Sequence, residues 1–428
     1  MADTPSYGFE TLAVHAGAAP DPVTGSRATP IHQTTAFVFE DVDHAASLFN
    51  LQVFGNIYTR LTNPTVAVLE QRLAGLEGGR GAVAAASGHS AQMMAFHVLM
   101  EAGDHFIAAK QLYGGSLTQF GQSFKKFGWD ATTVDATNVQ YFRDAMRPNT
   151  KAIFIENLAN PGGVVVDVEA IAAVAHEAGI PLIVDNTLAT PFLARPFEWG
   201  ADIVVHSLTK FLGGHGNSLG GMVVESGKFD WAQNDKYPSL TEPNASYHGL
   251  KFYETFGDMA YSVAIRAQSL RDLGPALSPM NAFLILTGIE TLPLRMERHC
   301  DNALKVAEFL EAHPKVDWVS YAGLKSSRFY DLGKKYLPRG AGAVFTFGVK
   351  GGFESGVTIV ENVELISHLA NIGDTRSLII HPASTTHRQL GEAELIAAGA
   401  GPDVVRLSVG IETVDDIIRD LDQALSRV

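Results

Sequence analysis

Lys210 closes the tetrapeptide Ser207-Leu208-Thr209-Lys210, which follows an apolar run, Ala201-Asp202-Ile203-Val204-Val205-His206, and opens onto a Gly-rich turn, Gly213-Gly214-His215-Gly216. A second apolar run, Pro181-Leu182-Ile183-Val184, stops at Asp185. One strand therefore ends in a carboxylate and a later one in an amine flanked by hydroxyls. An amine can condense with an aldehyde, a carboxylate can keep a ring nitrogen protonated, and hydroxyls can hold a phosphate. A strand-end lysine alone is ordinarily solvated charge. Beside Asp185, Ser207 and Thr209 it becomes a candidate Schiff-base lysine, and pyridoxal phosphate is the group that needs all three functions.

Other candidates are weaker one at a time. Ala85-Ala86-Ser87-Gly88-His89-Ser90 is a small-residue loop before a helical run, Ala91 to Met100; such a loop lets backbone amides meet an anion at a helix N-terminus, or is simply a tight turn. Asn56-Ile57-Tyr58-Thr59-Arg60 sets a phenol and a guanidinium on one face of an extended segment, and the planar fork of arginine suits phosphate. Tyr113, before Gly114 and Gly115, can stack on a flat ring or fill a turn. Asn371 and Arg406 can be paired as a carboxylate clamp, because Arg406 sits inside the apolar run Val404 to Gly410, where a charge is costly unless partnered. The glycines after Lys210 lack the Gly-Lys-Ser/Thr ending of a P-loop and read as a turn. His381 and His387 have no third ligand nearby, so turn and packing roles are expected and no metal.

The elements that must carry these residues follow from periodicity. From about Leu69 to Val224, β-rich runs alternate with helical patterns, as a mostly parallel α/β sheet demands. In the clearest unit, Lys151 to Asn186, a strand at Ala152 to Ile155 precedes a helix capped by Asp167, with Val168, Ile171, Ala172, Val174 and Ala175 on one face and Gly179 after its end. Asp185 and Ser207 to Lys210 then fall at carboxyl ends of strands, where open α/β sheets bind ligands. Residues 227–249 read as a polar, aromatic-bearing excursion. A long helical pattern from Asn281 leads through the basic cluster Arg295, Arg298 and His299 into a smaller C-terminal α/β region. The expected organisation is an N-terminal arm, 1–62, a large domain, 63–280, and a small domain, 281–428.

Composition narrows the partners. A length of 428 residues predicts two or three domains. A formal charge of −14 disfavours nucleic-acid backbones and anionic membranes. The longest hydrophobic stretches are interrupted by polar residues and cannot span a bilayer, and Met1 to Gly17 has no secretory pattern. Cys300 is the single cysteine, which excludes an intramolecular disulfide and a cysteine metal cluster and points to the cytoplasm; it is expected to be a buried small hydrophobe.

Taken together, Tyr58-Thr59-Arg60, Ser87-Gly88, Tyr113-Gly114, Asn160-Pro161, Asp185-Asn186-Thr187, Ser207-x-Thr209-Lys210, His381-Pro382-Ala383-Ser384 and Arg406-Leu407-Ser408-x-Gly410-Ile411-Glu412 resemble the Cys/Met-metabolism family of pyridoxal-phosphate enzymes across nearly the whole chain. Glu10 to Gly17, Phe54 to Arg60, the 228–249 excursion and Leu292 to Arg298 are most similar to its O-acetylhomoserine sulfhydrylase branch.

The resemblance implies an aspartate-aminotransferase-like fold (fold type I), with pyridoxal 5'-phosphate covalently on Lys210 and its ring nitrogen held by Asp185. The Gly88 and His89 amides and the Ser207 and Thr209 hydroxyls would hold its phosphate. Tyr58 and Arg60 would reach that phosphate from a neighbouring subunit, in a homotetramer built from dimers with shared sites. Tyr113 would stack on the ring, Asn160 would lie near the ring hydroxyl and Thr187 near Asp185, and Asn371 with Arg406 would clamp a substrate carboxylate.

The implied reaction is a γ-replacement on O-acetyl-L-homoserine, with sulfide as nucleophile and homocysteine as product, in methionine biosynthesis. Lys210 would move the protons, and Tyr58 and Tyr113 are the available phenols. Methionine γ-lyases carry a cysteine where this chain has Gly115. Cystathionine-handling relatives tend to carry a glutamate at the position of Leu369 and a serine at that of Asn371. These departures favour a small nucleophile; the competing readings are a methionine or cystathionine γ-lyase, a cystathionine γ-synthase and a non-catalytic binding protein. His89 stands where close relatives carry glutamine.

Overall fold

The computed structural model describes residues 7–159, 163–386, 388, 391, 395 and 399–428. In the first half lie strands β1 (Gly81–Ala85), β2 (His105–Ala109), β3 (Asp130–Val134), β4 (Thr150–Glu156), β5 (Leu158–Ala159), β6 (Val164–Val165), β7 (Leu182–Asp185), β8 (Ile203–Ser207) and β9 (Gly221–Glu225). Seven form one sheet in the order β1-β9-β8-β7-β4-β2-β3, while β5 and β6 pair separately. Neighbours from β8 to β3 are parallel, and β9 is antiparallel to both of its neighbours. Parallel strands covered on both faces need near-continuous apolar sequence. Leu182 to Val184 and Ile203 to Val205 supply it and are buried.

The crossover from β4 to β7 forms where the sequence indicates. The Asp167 side chain accepts the Ala170 N–H at 3.3 Å and caps helix Val168–Glu177, whose apolar face is buried. Gly179 follows in the left-handed region, φ 64°, which only glycine adopts without strain. The chain returns as β7 in parallel register with β4, pairing Glu156 with Asp185. Two acidic residues thus end adjacent strands, and Ser207 ends the next.

Helices Pro279–Glu290 and Leu292–Ala312 lead to a second sheet of β10 (Val316–Ser320), β11 (Val344–Val349), β12 (Ser367–His368), β13 (Leu378–Ile380) and β14 (Val404–Ser408), in the order β10-β11-β14-β13-β12. Arg406 lies in β14, opposite Thr346 and Ile380 on the flanking strands. Buried apolar side chains beneath both sheets form one continuous core. The 227–249 excursion packs inward through Trp231, stacked on Tyr261 at 5.2 Å, and Tyr237. Before residue 63, helices Phe9–His15 and Val42–Phe49 are joined by segments that leave Val38 98% and Phe54 76% exposed. Cys300 is buried and its thiol is pushed up to about 12 by burial, consistent with a packing role. His381, also buried, places Nε2 2.8 Å from the Pro402 carbonyl; His387 lies outside the described residues.

Candidate active site

A cavity of about 210 Å³ opens where the carboxyl ends of β4, β7 and β8 meet the start of helix Gly88–His97 and the segment around Asn371. Its wall includes Gly88, His89, Tyr113, Asp185, Thr187, Ser207, Thr209, Lys210, Asn371 and Arg406, so most of the residues singled out by sequence converge there. Asn160 lies outside the described residues. Tyr58 and Arg60 are not among the lining residues. The Arg60 guanidinium donates to the Arg271 carbonyl and lies 5.5 Å from the Tyr58 ring centre.

Asp185 is the acidic end of the cavity. Burial pushes its carboxyl above the usual range, opposed by hydrogen bonds from Thr187, by positive charge at His206 and by Gln92. The Thr187 N–H donates to Oδ1 at 2.9 Å and Gln92 Nε2 to Oδ2 at 3.3 Å. Gln92 also donates to Ser116 Oγ at 2.9 Å, and its own Oε1 is buried without a partner among the described residues. Thr187 has a second task, because its hydroxyl accepts the Ser207 N–H at 2.8 Å and ties the ends of β7 and β8 together.

At the other end of the cavity, Ser87 caps helix Gly88–His97 by accepting the Ser90 N–H at 3.2 Å. Gly88 and His89 occupy the first helical turn, where N–H groups have no partner within the helix. Thr209 is fixed by Gly220, whose N–H donates to its hydroxyl at 3.1 Å. Gly88 lies against β8 so closely that a Cβ there would stand 2.8 Å from Ser207 Cβ and 3.1 Å from Ser207 Cα. Gly88→Ala should therefore push the helix start away from Ser207 and Thr209, destabilise the fold by about 1–3 kcal/mol and weaken binding of a phosphorylated ligand about tenfold. Thermal melting with and without pyridoxal phosphate measures both; unchanged affinity would separate Gly88 from the phosphate.

Lys210 lies between these ends. Burial, with Arg406 nearby, lowers its amine to about 8. Its Nζ donates to Asn371 Oδ1 at 2.6 Å, while Arg406 Nη2 donates to the Asn371 carbonyl at 3.4 Å. Burial lowers the Arg406 guanidinium to about 10, so it remains cationic at neutral pH. The turn after Lys210 is held by Gly213 N–H to Leu208 O at 3.0 Å and Gly214 N–H to Lys210 O at 2.8 Å. Arg295, from the basic cluster, clamps it from behind by donating to Phe211 O at 2.7 Å and Leu212 O at 3.2 Å.

Tyr113 stands at the mouth, 49% exposed, with its backbone N–H donating to Glu156 Oε1 at 2.6 Å. The His89 ring lies 5.8 Å from the Tyr113 ring, centre to centre and tilted by 33°. Gly115 makes that pairing possible, since a Cβ there would strike Tyr113 Cε1 and lie 2.9 Å from His89 Nε2.

Two polar wall residues were not apparent from sequence. Glu156 ends an apolar strand just as Asp185 does, and Gln92 stands one helical turn beyond Gly88; these were the available signals.

The donor set fits pyridoxal phosphate. A buried carboxylate lies at one end, helix-start amides and hydroxyls at the other, and an amine of lowered basicity between them. Gly88 already touches Ser207, so the space beside the helix-start amides has no room for a side chain.

Comparison with known proteins agrees. The family model described as Cys/Met metabolism PLP-dependent enzyme matches residues 10–426. An O-acetyl-L-homoserine sulfhydrylase of Leptospira meyeri is 53% identical, with 98% of this chain and 97% of the relative covered. A homocysteine synthase of Schizosaccharomyces pombe is 50% identical, with 97% and 98% covered. A Campylobacter jejuni protein assigned as an O-acetylhomoserine (thiol)-lyase, whose crystal structure carries a pyridoxyl-lysine 5'-monophosphate, superimposes with a TM-score of 0.95 at 43% identity, covering 98% of this chain and all of that one.

Proposed function

The chain belongs to the Cys/Met-metabolism family of pyridoxal-phosphate-dependent enzymes, and from that membership we infer that it catalyses γ-replacement, turning O-acetyl-L-homoserine and sulfide into L-homocysteine and acetate. The observation that carries this reading is the meeting of Lys210, Asp185 and Arg406 around one cavity in a chain about half identical, end to end, to O-acetylhomoserine sulfhydrylases.

Pyridoxal phosphate, bound covalently to the lysine, supplies an electron sink conjugated with the substrate α carbon. The rest is work for side chains. The Arg406 guanidinium, backed by Asn371, holds the substrate α-carboxylate. Lys210 Nζ, once freed from the cofactor by the substrate amine, would remove the Cα proton. A leaving group on Cγ is too far from Cα to be expelled from there, so Nζ would first hand the Cα proton on to the electron sink and then, neutral again, remove one from Cβ. Acetate then departs from Cγ with its bonding pair, sulfide adds to Cγ, and Lys210 Nζ returns protons to Cβ and Cα. Asp185 keeps the ring nitrogen protonated throughout. The Tyr113 phenol, exposed at the mouth, would give a proton to the departing acetate, and the resulting phenolate would take one from the incoming hydrogen sulfide. The leucine at position 369, next to the wall residue Ala370, and the space beside Gly115 filled by Tyr113 and His89 support sulfide over an amino-acid thiol as nucleophile.

Product analysis tests this. The cofactor-loaded protein should make homocysteine from O-acetyl-L-homoserine only when sulfide is present. Cystathionine formed with cysteine would move the assignment to the synthase branch, and 2-oxobutyrate as main product despite sulfide would make the protein a lyase.

We further propose that residues 1–62 are an arm reaching a neighbouring copy, 63–280 the large domain and 281–428 the small one, in a cytoplasmic homotetramer built from dimers. Tyr58 and Arg60, away from their own cavity, support the arm, and the single buried Cys300 supports a reducing compartment. Lys210→Ala and Arg60→Ala chains, each inactive alone, should therefore complement each other on co-expression. Each mixed dimer has one site with both residues native, so random pairing should restore about a quarter of wild-type activity. No recovery in demonstrated mixed dimers would place Arg60 outside a shared site.

A further inference from the structure

Behind the cavity wall lies a pair of ionisable groups that the mechanism above does not use. Glu77 ends helix Pro64–Glu77, and His206 lies in β8 just before Ser207. Both side chains are 0% exposed, and His206 Nε2 stands 2.6 Å from Glu77 Oε1. The same carboxylate oxygen accepts the Asn186 amide at 2.8 Å, and Asn186 follows Asp185 directly. Asn157, next to Glu156, donates to Asn186 Oδ1 at 2.7 Å. Glu77 thus grips the residues adjoining Asp185 and Ser207, one neighbour at the ring end of the site and one at the phosphate end.

A buried carboxylate needs a compensating positive charge or its cost is severe. His206 is the ion-pair partner that contacts Glu77 among the described residues. Glu77 Oε2 and His206 Nδ1 are both buried without a hydrogen-bond partner among the described residues. Packing alone does not require such an arrangement, because an apolar pair of the same volume would avoid two orphaned polar atoms. Asp185 has a use for it, since positive charge at His206 opposes the burial that would otherwise neutralise its carboxyl.

We propose that Glu77 and His206 are positioning residues for the cofactor's ring nitrogen: the buried pair orients the end of β7 through Asn186 and so holds the Asp185 carboxylate against the protonated ring. This rests on the pyridoxal-phosphate reading of the cavity and assigns a task to a part of the chain that touches neither cofactor nor substrate.

The test uses the full-length protein freed of cofactor and two ligands, pyridoxal phosphate and its analogue with CH in place of the ring nitrogen. Glu77→Gln keeps the shape and removes the charge; His206→Gln keeps a donor toward Glu77 and removes the imidazole. Wild type should bind pyridoxal phosphate more tightly than the analogue. Each variant should lose about tenfold in affinity for pyridoxal phosphate and less than threefold for the analogue, as a selective coupling to the ring nitrogen requires. The induced circular dichroism of bound pyridoxal phosphate should fall, while that of the analogue persists. Equal losses for both ligands, or none, would overturn the proposal and leave the pair a purely structural contact. Failure of wild type to bind pyridoxal phosphate would instead overturn the cofactor reading itself. Should one variant not fold, the other carries the same comparison.

Discussion

Lys210→Ala should abolish turnover, lowering kcat by about 10⁴-fold or more, because the substitution removes both the covalent anchor and the group that moves every proton. The structure explains why this amine suits both tasks. Only a neutral amine can attack an aldehyde or accept a proton, and burial beside Arg406 brings Lys210 down to about 8. At pH 7.5 such an amine is about a quarter neutral, against about 0.1% for a solvent-exposed lysine. Asn371 Oδ1, at 2.6 Å, holds the charged form in place. The rate at which cofactor-free protein takes up pyridoxal phosphate should therefore rise with pH through a midpoint near 8. Mass spectrometry after borohydride treatment should show a cofactor adduct on wild type and none on Lys210→Ala. Undiminished turnover in the variant would transfer the catalytic role to another residue.

Asp185→Asn should be the next most damaging change, with kcat reduced about 10³-fold while cofactor remains attached to Lys210. An amide replaces a charge with a dipole and cannot hold a proton on the ring nitrogen. The structure surrounds this carboxylate with donors, Gln92 on one oxygen and the Thr187 N–H on the other, so an amide of the same shape loses the charge and also sets its NH2 against one of those donors. Retained cofactor absorbance with collapsed turnover distinguishes this outcome from a folding defect. Activity close to wild type would mean that Asp185 supports the wall and not the ring.

The fold and the centre of the site were unusually legible because their signals are local. An apolar run that ends in a functional residue is the mark of a buried parallel strand, and β7 and β8 end at Asp185 and Ser207. The Asp167 cap and Gly179 bounded a helix without reference to anything beyond their own segment. Gln92 and Glu156 escaped notice because amphipathic position does not say what a side chain faces. Gln92 lies on a helix whose buried face serves both the core and Asp185, and Glu156 ends β4 like any solvated strand-end acid until β7 is paired beside it.

The sequence by itself determined the types and order of the reacting groups, the parallel strands that carry them and a net charge that disfavours polyanionic partners. Tertiary structure alone decided their company. Lys210 meets Asn371 across 161 positions and His206 meets Glu77 across 129, and neither pairing has a local signature. Both depend on how a second sheet and an N-terminal helix dock on the first, which is set by the shape of a shared apolar core. Burial follows from the same docking, and burial moves Lys210 toward neutrality and makes the charge of Asp185 depend on its neighbours.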